Sequence, residues 1–251
     1  MRKVLEKLGQ QLLWLNLHRF EALETLDVLD YTPNLISLHL NCQLKKTYDF
    51  TKLSQLKELS LWYGKAFSGI FECESIKELT IFKMDAYAAA SIVKLHRLET
   101  LWIRQTSLKG IDGLHSLSNL NKLCFFLSPK LETIAPIQQC QEITYLYFNC
   151  CKGITDWEVI GNMPNLKEIC IDNCGILNDI NFLKPLENLE RVALIGERMK
   201  LIDGRVRWLY EKPKMKYIFL PRNKDFDISL EESWAGQMPD RYPDVWKWDL
   251  S

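Results

Sequence analysis

The chain has 251 residues, 47% of them hydrophobic, and its 32 Lys and Arg are balanced by 32 Asp and Glu. That apolar content is ample for one elongated core, and zero formal charge gives no general electrostatic pull towards nucleic acid or an anionic membrane. No apolar run approaches the ~20 residues needed to span a bilayer, and Glu6, Lys7, Gly9, Gln10 and Gln11 interrupt the apolar core that a secretory leader would need.

Residues 1–11 read as an N-terminal cap. Met1 to Leu8 suits a short amphipathic helix with Val4, Leu5 and Leu8 on one face, ended by Gly9. From Leu12 onward a nine-residue phrase recurs. Its first, fourth and sixth residues are apolar, its seventh and eighth vary, and its ninth is small or polar. The phrase is clearest at Leu98-Leu101-Ile103, Leu120-Leu123-Phe125, Ile143-Leu146-Phe148 and Leu166-Ile169-Ile171. Its starts are Leu12, Leu35, Leu56, Ile76, Leu98, Leu120, Ile143, Leu166, Leu189 and Met215, spaced from 20 residues (Leu56 to Ile76) to 26 (Leu189 to Met215). At the first repeat, Leu23-Leu26-Val28 offers a competing register.

The pattern has a physical reading. Apolar residues alternating with polar ones suit a strand with one buried face. A single strand cannot bury that face, but stacked neighbours build a parallel sheet over a continuous core. Convex-side apolar residues such as Ile111, Leu114 and Leu117, or Ile154, Trp157 and Ile160, fill the core from behind. Pro33-Asn34-Leu35 and Pro164-Asn165-Leu166 break the convex segment and restart the strand.

From Leu12 to Leu220 the chain resembles the leucine-rich-repeat family, whose period is roughly 20–29 residues. The resemblance implies an α/β solenoid of about ten repeats over 12–220, with a curved parallel sheet on the concave face, helices and turns on the convex face, and residues 221–251 as a C-terminal cap or tail. In that family the ninth position holds Asn or Cys, which satisfies turning backbone groups. Here it reads Thr106, Ser128, Cys151 and Cys174, and Cys150-Cys151-Lys152-Gly153-Ile154-Thr155-Asp156 resembles the cysteine-containing subclass. Phe20, Gln43 and Gly64 depart from it.

The third, fifth and seventh residues of each phrase should face the concave side. Trp62, Phe82, Trp102, Phe126 and Tyr147 then form an aromatic band over five neighbouring strands. Tyr145 stands at a third position and Tyr63 at an eighth, with Arg104, Glu168 and Asp172 alongside. Aromatics and Arg are typical interface anchors, and burying one such ring contributes roughly 2–3 kcal/mol. These ten residues are the candidate partner-binding set. The tail, with Trp234, Tyr242, Trp246 and Trp248, either caps the last strand or covers the band.

Chemistry has little support. His18, His39 and Cys42 offer a thiol near imidazole, but no oxyanion motif accompanies them. The cysteines lack zinc-site spacing and no glycine-rich phosphate loop occurs, so neither metal nor cofactor is expected. Six of eight cysteines (Cys42, Cys124, Cys150, Cys151, Cys170 and Cys174) lie inside phrases, whereas secreted relatives staple their ends. Free thiols and a cytoplasmic location are expected. The expected function is a non-enzymatic scaffold, monomeric when free, that binds a partner protein through its concave face, with no nucleic acid or membrane partner. The resemblance extends this to an inhibitor or immunity-type protein. A substrate-recognition adaptor and a Cys/His enzyme are the alternatives.

Overall fold

Each phrase becomes one strand. The computed structural model describes residues 2–229, and of residues 18–22 the backbone alone. Ten strands form one parallel sheet in chain order: β1 (Trp14–Leu23), β2 (Ser37–Leu44), β3 (Glu58–Trp62), β4 (Glu78–Phe82), β5 (Thr100–Arg104), β6 (Lys122–Phe126), β7 (Tyr145–Asn149), β8 (Glu168–Asp172), β9 (Arg191–Ile195) and β10 (Tyr217–Phe219). Every strand starts at the third residue of its phrase. Equivalent residues pair across the stack, as in Leu101 with Leu123, Leu123 with Leu146, and Leu146 with Ile169. Trp14 pairs with Ser37, which selects the Leu12 register. Leu26, from the competing register, is instead buried ahead of the first convex turn.

The fourth and sixth residues of the phrases, together with Leu29, Phe50, Leu114, Ile137, Ile160 and Leu183 from the convex segments, form one long core. Those segments are mostly short 3-10 helices, such as Asp112–Ser116 and Trp157–Asn162, with α-helices at Ala86–Ser91 and Arg207–Tyr210; the first is capped by the Asp85 side chain, which accepts from the Ala88 N–H. The cap satisfies one otherwise orphaned donor. Within the core, Phe125 stacks on Phe148 at 5.5 Å and Trp157 meets Phe148 edge-on at 5.1 Å.

At the N-terminus Arg2–Leu8 is helical as expected, but only Leu5 of its apolar face is buried, while Val4 and Leu8 are 56% and 54% exposed. Gly9 does not end the coil. It opens a further 3-10 turn and lies so close to the first convex turn that a Cβ would overlap the Tyr31 carbonyl. At the other end, Phe226 and Ile228 pack on the core, and the Asp227 carboxylate accepts from the Val206 and Arg207 N–H groups at 2.8 Å each. The tail aromatics Trp234, Tyr242, Trp246 and Trp248 lie outside the described residues.

The ninth-position residues do satisfy turning backbone. The Thr106 N–H donates to Ser128 Oγ at 3.3 Å and the Cys151 N–H to Cys174 Sγ at 3.3 Å. Thr106 Oγ1 in turn donates to the Met84 carbonyl, and Cys174 Sγ to those of Phe148 and Asp172. A second ladder runs just before the phrases: Asn34 donates to the Gln10 carbonyl of the N-terminal cap, and Asn119, Asn165 and Asn188 each donate to a carbonyl of the preceding repeat.

Candidate binding face

The alternation of the strands sorts the concave side chains into three rows running across the stack. The upper row, from seventh positions, is a stack of rings and cations. Trp62 and Phe82, paired in register, lie parallel at 5.3 Å. The Arg104 guanidinium sits between Phe82 and Phe126, 5.3 and 4.5 Å from their centroids, and Lys83 lies 4.8 Å over Trp62. Such cation–π contacts hold the cations against the ring faces. From the middle row Trp102 stacks on Phe126 at 5.5 Å, and Tyr147 meets Phe126 edge-on at 4.9 Å.

This packing corrects part of the expected exposure. Phe126 and Tyr145 are only 2% and 7% exposed, and Cys124 and Cys170 are buried too. Strands ~4.8 Å apart bring large neighbours into contact, so the band forms a small core of its own. Cys124 lies between Trp102 and Tyr147 in register, beneath that cluster. The half-buried rings left facing the concave side are Trp62, Phe82, Trp102 and Tyr147. Tyr63 departs further. Its ring packs on the main core beside Phe71 at 6.0 Å, with its hydroxyl pushed up to about 12 chiefly by burial. The Tyr63 side chain thus rounds the strand end and leaves the concave face, whereas Lys83, at the same position of the next phrase, reaches back over Trp62.

The polar residues form a separate group on β7 to β9. Asp172 accepts from the Tyr147 hydroxyl at 3.2 Å, from Asn149 Nδ2 at 2.8 Å and from Asn173 Nδ2 at 2.9 Å. Glu168 pairs with Arg191 at 2.9 Å, and Arg191 lies 5.1 Å over Tyr217. Arg191 and Tyr217 therefore belong to this surface. Neither was among the expected site residues, although both stand at third positions of their phrases.

Comparison with known proteins agrees with this geometry. No protein-family model and no curated protein matches the sequence. Solved structures do match. An internalin from Listeria monocytogenes aligns over 87% of this chain and 79% of its own, with 18% identity and a TM-score of 0.58. The leucine-rich-repeat domain of the type III effector XopL aligns over 87% of this chain and 79% of its own, with 16% identity and a TM-score of 0.55. The Arabidopsis receptor kinase HAESA, solved with the peptide hormone IDA and the co-receptor SERK1, aligns over 84% of this chain and 38% of its own, with 15% identity and a TM-score of 0.52.

The fold is a leucine-rich-repeat solenoid.

The solenoid separates the residues that hinted at catalysis. His39 faces the concave side beside Trp14 at 6.0 Å, whereas Cys42 packs into the main core. Three positions apart on one strand, they point to opposite faces, and the His18 side chain lies outside the described residues. Burial lowers the His39 pKa and raises that of Cys42, so the thiol is poorly suited to act as a thiolate nucleophile. Burial also pushes Cys73 up to about 12 and Cys140 up to about 11. All eight cysteines are free thiols. Among the described residues no group of three or more potential metal ligands converges, and no helix is long and apolar enough to cross a membrane.

Proposed function

We propose that this solenoid is a non-enzymatic scaffold that binds a partner protein on its concave face, in the manner of an inhibitor or immunity-type protein. The observation that carries the reading is the ring-and-cation stack from Trp62 to Tyr147. Interfaces gather their energy in a few aromatic and Arg anchors held rigid before binding. Here Trp62, Phe82, Trp102 and Tyr147 are half-buried, locked against one another and flanked by Arg104. A sheet whose rings are already ordered loses little side-chain freedom on association. HAESA, of similar fold, is solved in complex with a peptide hormone and a co-receptor, a precedent for recognition on this architecture. The free thiols suit a reducing compartment, and we place the protein in the cytoplasm as a monomer when unbound.

The test is a binding measurement on an identified partner. Native-extract capture followed by mass spectrometry supplies candidates, and calorimetry on the purified pair supplies affinity. Replacing Trp62, Trp102 and Tyr147 together with Ala should weaken binding by about a hundredfold or more, with the circular dichroism spectrum retained. Unchanged affinity in that variant would reject the concave face.

A further inference from the structure

The lower row of the concave face, from third positions, is built unlike the upper one. Glu58 and Glu78 are register partners on β3 and β4, which sets two acidic residues on one face at one strand spacing, roughly 5 Å between their backbones. Like charges placed side by side destabilise a sheet. On nearby turns carboxylates are matched by a lysine, as in Lys77 with Glu99, Lys94 with Glu72 and Lys109 with Glu132. Glu58 and Glu78 form no ion pair among the described residues. The Glu78 carboxyl is pushed above the ordinary range by burial and then by Glu58, with Lys122 opposing.

Three further features surround the pair. Between the carboxylates and the Trp62–Phe82 stack, the middle row is cut down to Ser60 and Thr80, also register partners, so the face dips there into a trough. Trp102 closes one end. One face of its indole is taken by Phe126, on the following strand, so the other turns back towards Thr80. Beside Glu58 in register lies Ser37, only 4% exposed, whose Oγ has no hydrogen-bond partner. A buried hydroxyl without a partner costs stability, and this one stands in the same lower row, next to Glu58.

We propose that the trough above Ser60 and Thr80 receives a lysine or arginine side chain of the partner protein, with its cation held by Glu58 and Glu78 and its stem packed on the open face of Trp102. This deepens the concave-face reading and rests on it. Charge complementarity selects the occupant. A cation relieves the Glu58–Glu78 repulsion and gains an aromatic face, whereas an acidic side chain meets two carboxylates and a neutral one leaves their repulsion in place.

The test follows the Trp102 indole N–H by NMR in the full chain, with the signal assigned by Trp102→Phe, while hexalysine, hexaserine and hexaglutamate peptides are titrated. Hexalysine should shift the signal saturably and the other two should not. Glu58→Gln with Glu78→Gln, which preserves shape, should weaken hexalysine by about tenfold. A convex control, Glu142→Gln with Glu158→Gln, should change it by less than about twofold. The proposal is overturned by an absent hexalysine response, by an equal response to hexaglutamate, or by undiminished hexalysine affinity in the Glu58/Glu78 variant. If that last result accompanies loss of partner binding in the Trp62/Trp102/Tyr147 alanine variant, the cation site fails and the concave face stands. If the alanine variant keeps its partner, the concave reading itself fails.

Discussion

Leu127 is held at φ 49° with about half of its side chain in solvent. It occupies the eighth position of its phrase, and the same left-handed turn recurs at Lys83 (φ 56°), Gln105 (56°), Cys150 (54°), Asn173 (52°) and Gly196 (103°). The turn reverses the chain from strand to convex segment, and it aligns N–H groups with the next repeat, as when the Leu127 N–H donates to the Asn149 carbonyl at 2.8 Å. Only Asn173 and Gly196 are residues that favour this conformation, so the turn was illegible from Lys, Gln, Leu and Cys in the same slot. The ninth position was legible because hydroxyl or thiol groups recur there. Leu127→Asn should relieve part of the left-handed cost without altering the core, and should stabilise the fold by about 0.5–1 kcal/mol. Thermal unfolding should show a rise of about 1–3 °C in Tm, and Leu127→Ala should show none. An unchanged or lowered Tm for the Asn variant would mean that neighbouring contacts already compensate the strain.

At the scale of the element, strand starts were readable because burial on one face imposes a period of two, and a slip of one residue would expose every leucine. What alternation does not reveal is how side chains on the open face settle against one another. Phe126 and Tyr145 were expected in solvent, and they form a buried cluster with Cys124 against which Trp102 and Tyr147 pack. The Pro-Asn-Leu breaks mark Asn34 and Asn165 but not the ladder they form with Asn119 and Asn188, which lies one residue ahead of the phrase and skips repeats. The Glu58–Glu78 pair is the counterpart in charge, since its repulsion appears only when the third positions of two repeats are laid side by side. Glu78 is exposed to solvent, which screens the repulsion and keeps the effect small, so Glu78→Gln should stabilise the sheet at neutral pH by about 0.3 kcal/mol. The sign follows from the raised folded-state pKa of Glu78: the ionised carboxylate is disfavoured in the fold, so its penalty is present at neutral pH and vanishes as pH falls and the group protonates. Urea unfolding should show the gain at pH 7 and its loss below about pH 4. A gain that persists in acid would point to packing rather than charge.

For the whole molecule, one-dimensional stacking governs both form and response. Each repeat touches its neighbours, so stability is a sum of local interfaces, and damage in one turn should stay local. Phe148 joins several turns: it stacks on Phe125 of β6 and meets Trp157 of the next convex segment, which in turn stacks on Phe182 at 6.5 Å. Phe148→Ala removes a fully buried ring and should cost about 3–5 kcal/mol. Because β1 to β3 lie four or more strands away from β7 in the sheet order, native-state hydrogen exchange should lose protection over β6 to β8 and the convex segment Trp157–Asn162 while leaving β1 to β3 as in the parent protein. The concave face would respond unevenly as well, with the Trp62–Phe82 stack kept and the Phe126–Tyr147 contact loosened. Uniform loss of protection along the sheet would instead show that the solenoid unfolds as a single unit, and the independence of the Glu58–Glu78 trough from the polar group around Asp172 would fall with it.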